Sequence, residues 1–331
     1  MHSKLGNACA LSTQKIDVHH HFIPECYANA FSAFAHDPSG WKLPAWSVDS
    51  TKALMGDLNI GTSILSLTAP GCTILKGAAA AQLAREVNHS AANIRDGDPS
   101  RFGFFASLPP ILDDIPAALA EIAYSLDVLK ADGITLYTRY GPGNAYLGHE
   151  SLKPIWDELD RRAAVVFVHP THLVDTQLVN PKLPQPMIDY PHETTRTIVD
   201  LIMSNTVRDH PNCNIIFSHA GGSFPYLATR AAEMLPDYGL SDKSAEEFIE
   251  DARTLFYDLA LSGNKYTLGL LTGFVRDDHI LFGSDFPYAP TKTIKTHTKN
   301  LEEYELHTAL RHQINRGNAL KLFPRLDSGG S

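Results

Sequence analysis

No stretch of this sequence is apolar over the roughly 20 residues that a membrane helix needs; its longest apolar runs are short and strand-like or rich in alanine. A protein without membrane spans is therefore expected. Positive charge is also scarce: 28 Lys and Arg stand against 37 Asp and Glu, for a formal net charge of −9. Nucleic acid and anionic membrane surfaces attract proteins through a basic footprint, so neither is an expected partner and a small molecule is. Cysteine is sparse, and Cys9, Cys26, Cys72 and Cys213 show no CxxC spacing. Four thiols in 331 residues do not make a disulfide scaffold, which points to reduced thiols and a cytoplasmic location. Met1–Gln14 has no apolar core of signal-peptide length and reads as a flexible polar leader over residues 1–14, ahead of a single domain over residues 15–331. Linkers, low-complexity tracts, internal repeats and a glycine-rich dinucleotide turn are missing too, so no organic cofactor is expected.

Histidine is abundant, with 16 residues, and several end strand-like runs. From Lys15 onward, short β-branched runs alternate with longer helical patterns, the signature of repeated βα units around a parallel sheet. The candidate strands are Ile16–His20, Thr62–Leu67, Gly103–Ser107, Ile134–Tyr137, Val165–His169, Asn214–Ser218, Phe256–Ala260 and Ile280–Gly283. Eight strands are what a closed barrel needs, so the predicted fold class is an α/β (β/α)8 TIM barrel. An open doubly wound sheet is the alternative, because strand patterns do not report closure. Apolar residues at helical spacing mark Ala78–Arg95, Ile115–Ala131, Ser151–Arg162, His192–Asn205 and a last helix over Leu306–Phe323. Thr171–Asp189 carries Pro181, Pro184 and Pro186 and follows a strand end, so it reads as an active-site loop.

The strongest local signal is Asp17-Val18-His19-His20-His21 at the end of the first strand. Residues two apart in a strand share a face, so His19 and His21 can both face one cation. Taken alone, the pair reads equally well as a histidine-rich turn. His169, His219 and Asp285 end later strands in the same manner. In a parallel barrel all C-terminal strand ends open onto one rim, so these residues converge. Singly, each has a structural reading, as a satisfied histidine or as a cap on the turn before Pro287; together they read as a metal site. The fourth strand, Gly133 to Arg139, ends with neither a lysine nor an acid that could bridge a second cation, which favours one metal. Three histidines and a carboxylate suit zinc by ligand type and leave manganese and iron open.

With Phe167-Val168-His169-Pro170, Glu193-Thr194-Thr195, Phe217-Ser218-His219-Ala220-Gly221-Gly222, Gly283-Ser284-Asp285-Phe286-Pro287 and Asn318-Ala319-Leu320, this motif set resembles a known family over Lys15 to about Pro324. The family is that of metal-dependent decarboxylases related to 2-amino-3-carboxymuconate-6-semialdehyde decarboxylase, within the amidohydrolase superfamily. The resemblance implies that His19, His21, His169 and Asp285 bind the metal and that His219 acts as an acid/base or electrostatic residue. It also implies a homodimer in which Arg230, eleven residues after His219, enters the partner's active site. The sequence departs from the muconate-semialdehyde enzyme near Ser50–Met55, where only Lys52 stands in place of substrate-binding arginines, which puts a dicarboxylate substrate in doubt.

Asp37-Pro38-Ser39-Gly40-Trp41, Ser66 to Gly71, Thr138-Arg139-Tyr140-Gly141, His169-Pro170-Thr171-His172 and Leu183 to Met187 are similar to the fungal 6-methylsalicylate decarboxylases of polyketide pathways. That likeness implies conversion of a small aromatic carboxylic acid, 6-methylsalicylate, to 3-methylphenol and carbon dioxide. Asp285 and His219 are then the candidate catalytic residues, and Arg230, Arg139, Trp41, Phe286 and Tyr288 the candidate substrate contacts. Two other readings stand beside it: a lactonase-type hydrolase using the same metal, and a non-catalytic barrel with structural histidines.

Overall fold

The computed structural model describes residues 13–34 and 37–327. Cys9 and all but the last two residues of the expected leader lie outside them. Eight strands form one sheet: β1 (Lys15–His21), β2 (Ile60–Ser66), β3 (Phe102–Ala106), β4 (Gly133–Tyr137), β5 (Val165–His169), β6 (Asn214–Phe217), β7 (Phe256–Asp258) and β8 (Ile280–Leu281). Each pairs in parallel with the next. Backbone bonds from Val18 N–H to Phe282 O (3.0 Å), His21 N–H to Phe286 O (2.7 Å) and Asp285 N–H to His19 O (2.8 Å) join β1 to the segment around and after β8. The sheet is thus a (β/α)8 barrel rather than an open one, and all eight expected strands are present.

Inward-pointing apolar residues fill the barrel below the rim. Ile16, Val18, Ile64, Phe105, Val165, Phe167, Ile216, Phe256 and Leu281 form one buried cluster, closed off by Phe323 and Leu326 near the C-terminal end of the described chain. Phe105 and Phe167, on strands separated by β4, stack with ring centres 5.3 Å apart. Alternate strand residues such as Leu65, Phe104, Val168 and Phe217 point outward and share a second cluster with Val87, Ile122, Trp156 and Ile198 of the surrounding helices. Each large side chain buried in this way contributes about 1.5–3 kcal/mol before entropy is counted.

Strict alternation would put His20, not His19, on the same side as Ile16 and Val18. A bulge resolves the conflict: Asp17 pairs with Ser63 but His20 with Leu65, so β1 carries one residue more than β2 at that point. Below the bulge Ile16 and Val18 face the interior, and above it His19 and His21 do.

Helix ends follow the local chemistry. Ser47 and Ser50 form a capping box at the Val48–Leu58 helix, and Asp114 caps Ile115–Asp127. The latter ends before the expected Ala131 because Lys130 is left-handed and Ala131 N–H turns back to Ser125 O. The single helix expected over Leu306–Phe323 is instead two short α-helices, Thr308–His312 and Asn318–Leu322, joined by a π turn over Gln313–Gly317. There the Ile314 carbonyl accepts Phe282 N–H at 3.1 Å, fastening β8 from outside. Among the described residues no helix is long and apolar enough to cross a membrane.

Candidate metal centre

Four side chains meet at the C-terminal rim of the barrel. His19 and His21 come from above the β1 bulge, His169 is the last residue of β5, and Asp285 follows β8. All four are buried, and their ligand atoms lie within 4.8 Å of one another. Nε2 of His19 is 3.1 Å from Nε2 of His21. Oδ1 of Asp285 is 3.3 Å from His19 Nε2 and 3.1 Å from His21 Nε2.

The opposite nitrogen of each ring is tied down. His19 Nδ1 donates to Asp258 Oδ2 (2.8 Å), His169 Nδ1 to Pro170 O (2.8 Å), and His21 Nδ1 lies 3.0 Å from Ser66 Oγ and 3.3 Å from Ser66 O. An Nδ1–H that donates outward leaves Nε2 as a lone pair, and here all three Nε2 atoms point at one spot beside a carboxylate. That donor set fits a divalent cation.

The electrostatics fit it as well. Burial opposes a charged His19, yet the charges and hydrogen bonds of Asp258 and Asp285 prevail and push its pKa up to about 10. Burial lowers His21, and burial together with the neighbouring imidazoles pushes His169 well down. Burial would raise Asp285, but hydrogen bonds from His19, His21 and His219 hold its carboxyl well below the usual carboxylate range. The surroundings thus favour positive charge beside the Asp285 carboxylate and disfavour it on His21 and His169.

His219 stands just outside the set, with Nε2 3.5 Å from Asp285 Oδ2. Its Nδ1 is buried and has no hydrogen-bond partner among the described residues. His219, Ala220 and Asp285 all take left-handed backbone angles (φ 55°, 55° and 63°). Such angles in non-glycine residues cost energy and gather at functional sites.

A cavity of about 380 Å³ opens over the cluster, a size typical of small-molecule sites. Trp41, Tyr190, Tyr288, Met187 and Leu261 give it flat and apolar walls, Asp37 and Ser39 add polar atoms, and no Lys or Arg lines it among the described residues. Tyr288 stands edge-on to His21 at 5.5 Å and Tyr190 edge-on to His169 at 6.2 Å. The proline-rich loop supplies Pro186 and Met187 to this wall, and it is held by Gln185, whose backbone N–H donates to Ser39 O at 3.0 Å.

Trp41 and Tyr288 line this cavity, whereas Phe286 and Arg139 do not. Phe286 packs behind β1, with its ring 5.2 Å from that of His20, because the left-handed turn at Asp285 breaks the strand alternation. Arg139 lies outside the cavity wall. Its Nε donates to His172 O (2.9 Å) and one terminal nitrogen to Gly141 O (3.0 Å) and Gly143 O (3.2 Å), with Glu193 3.8 Å away. It fastens two rim loops to each other. Arg230 is exposed on the Phe224–Asp237 helix, with no hydrogen bond or ion pair to the described residues and no place in its own protomer's cavity.

Sequence reasoning missed Asp258, Tyr190, Asp37 and Ser66. Asp258 had a usable signal, since an acid inside the apolar run Phe256-Tyr257-Asp258-Leu259-Ala260 must be buried with a partner.

Fold and site together define a class: parallel barrels whose C-terminal rim gathers three histidines and one carboxylate that could hold a metal ion. The chain belongs to the amidohydrolase family, whose sequence profile matches residues 16–325. It is 52% identical over 322 residues to a 6-methylsalicylic acid decarboxylase of Aspergillus aculeatus, covering 94% of this chain and 96% of that one. A 6-methylsalicylic acid decarboxylase of Penicillium expansum is 51% identical over 317 residues, covering 94% and 97%. Among solved structures, an amidohydrolase II superposes with a TM-score of 0.85 at 27% identity, covering 94% of this chain and all of that one. A dihydroxybenzoic acid decarboxylase from Polaromonas sp. JS666, with bound manganese and 2-nitroresorcinol, superposes at 0.81 with 23% identity, covering 94% and 97%, a likeness that speaks to the fold.

Proposed function

We propose that this chain is a metal-dependent carboxy-lyase that converts 6-methylsalicylate to 3-methylphenol and carbon dioxide. The observation that carries the reading is 51–52% identity to two 6-methylsalicylic acid decarboxylases along 94% of the chain. Among the described residues Cys26, Cys72 and Cys213 are free thiols, which fits a cytoplasmic site of action.

His19, His21, His169 and Asp285 would hold one divalent cation. Zinc suits the donors, and manganese, present in the Polaromonas enzyme, is the alternative. Held there, the cation would supply Lewis acidity toward the substrate's oxygens.

Direct loss of carbon dioxide would leave an unstabilised aryl anion, so the ring carbon bearing the carboxylate has to be protonated first. In this reading Asp285 takes the phenolic proton and returns it to that carbon. The bond to the carboxylate then breaks, its electron pair restores the aromatic ring, and solvent protonates the phenolate. His219, 3.5 Å from Asp285, offsets charge during the transfer. Trp41 and Tyr288 hold the ring between flat faces and keep water away.

Among the described residues no Lys or Arg lines the cavity, and the family resemblance assigns the substrate's negative charge to Arg230 of a second copy. Tyr226, Arg230 and Met234 lie at i, i+4 and i+8 of one helix, a single stripe on which Tyr226 is 76% and Met234 38% exposed. A homodimer covers that stripe.

The test incubates cation-loaded protein with 6-methylsalicylate and follows 3-methylphenol by chromatography, beside a chelator-treated sample. Product that vanishes with the cation supports the reading. Lactone ring opening without carbon dioxide release would reassign the chain to the hydrolases.

A further inference from the structure

Asp17 and His20 belong to the most distinctive motif in the chain, are fully buried, and have no place in the ligand set. The β1 bulge turns both away from the cation cluster and toward each other. The Asp17 carboxylate accepts four donors. Its Oδ1 takes the backbone N–H of His19 (3.2 Å) and of Ser284 (3.0 Å), and its Oδ2 takes the Ser284 hydroxyl (2.6 Å) and His20 Nδ1 (2.9 Å). Ser284 Oγ in turn accepts the N–H of Phe286 at 3.2 Å. On the outer side His20 Nε2 meets Thr51 Oγ1 at 3.2 Å, which also accepts the Trp46 indole N–H at 3.0 Å.

This network spans the seam of the barrel. β8 is only two residues long, so beyond Leu281 the ladder is replaced by single backbone bonds and by the side chains of Asp17 and Ser284. Gly283 permits the approach, since a Cβ there would lie 2.8 Å from the Cβ of His19. Asp285, next in line after Ser284, is a ligand in a left-handed conformation that an L-residue keeps only when its surroundings impose it. Asp17 grips the residue before that ligand, and its own strand carries two of the other three, His19 and His21.

We propose that Asp17, His20 and Ser284 form a clasp across the seam that holds Asp285 at the distance from His19 and His21 which one divalent cation requires. They are positioning residues, and the proposal rests on the reading that the cluster binds such a cation. A network serving the fold alone would stabilise the protein equally with and without the cation. A positioning network is needed most when the four ligands must converge.

Ser284→Ala and Asp17→Asn test the clasp, with Thr51→Ala as a control at its outer end. Affinity for Zn²⁺ and Mn²⁺ is measured by competition with a chromophoric chelator, and thermal unfolding is followed for the chelated and the loaded protein. Ser284→Ala and Asp17→Asn are expected to weaken cation binding about tenfold or more and to shrink the rise in Tm that the cation produces. Thr51→Ala is expected to lower Tm in both forms and leave affinity unchanged. Unchanged affinity in Ser284→Ala, with equal losses of Tm in both forms, would overturn the clasp, and this variant serves even if Asp17→Asn fails to fold. A wild-type protein that binds neither cation would instead overturn the reading beneath it.

Discussion

Nδ1 of His19 and the backbone N–H groups of His219 and Ala260 all point at one carboxylate, that of Asp258. Asp258→Asn separates its two duties. An asparagine oxygen still accepts the amides, but its NH2 turned to His19 makes Nδ1 an acceptor and moves the ring proton to Nε2, where the cation should bind. Cation affinity is expected to fall by about 10–100-fold in a chelator competition, with the circular dichroism spectrum retained. Unchanged affinity would mean that His19 is oriented by something else. At this scale the convergence of His19, His21, His169 and Asp285 was legible and the groups that support them were not. An imidazole at a strand end advertises itself, whereas Asp258 hides inside an apolar run and Ser66 and Tyr190 have side chains that serve many purposes.

The element that carries His172, the loop after β5, bears a pH-dependent weakness. Burial, and then the charge of Arg139, pushes His172 down from 6.5 to about 4. As pH falls below 6.5 the unfolded chain takes up a proton that the folded chain refuses until about 4, so stability is lost across that window and levels off beneath it. Urea midpoints of wild type and His172→Asn are expected to diverge between pH 7 and pH 5, with the variant losing less. Parallel losses would place the acid sensitivity elsewhere. Gly283 offers a second test: Gly283→Ala inserts a methyl group 2.8 Å from the Cβ of His19 and should destabilise by about 1–3 kcal/mol, read as a lower Tm. The eight strands were readable because a buried parallel strand is a short β-branched run whatever lies around it. The bulge in β1 was not, since a one-residue excess is a property of two strands together. Phe286 was misplaced because a place on a rim loop does not say which way a side chain turns, and the left-handed Asp285 turns this one toward His20.

For the whole molecule, shared active sites make a distinctive prediction. If Arg230 works in the neighbouring protomer, Arg230→Ala and His169→Ala are each inactive, but a mixed dimer of the two contains one complete site. Co-refolding equal amounts should recover roughly a quarter of wild-type activity, because half of the dimers are mixed and each has one working site of two. No recovery, or a monomer in light scattering, would remove Arg230 from the site. Closure of the barrel was beyond the sequence, because eight parallel strands suit an open sheet equally well. It is decided by contacts between residues near the two ends of the described chain, with Asp17 and Ser284 separated by 267 positions.

That separation has a consequence for synthesis. β1 emerges ahead of the other seven strands, with two of the four proposed ligands, and its free edge waits until Gly283-Ser284-Asp285 has emerged. Contacts so distant form late, and until then the unpaired edge is open to wrong partners. Retention of a cation would thus mark a finished chain. A product cut short before its eighth strand keeps most of the helices and three of the four proposed ligands, yet it lacks the Asp285 carboxylate that completes the set and the seam that would hide its edge.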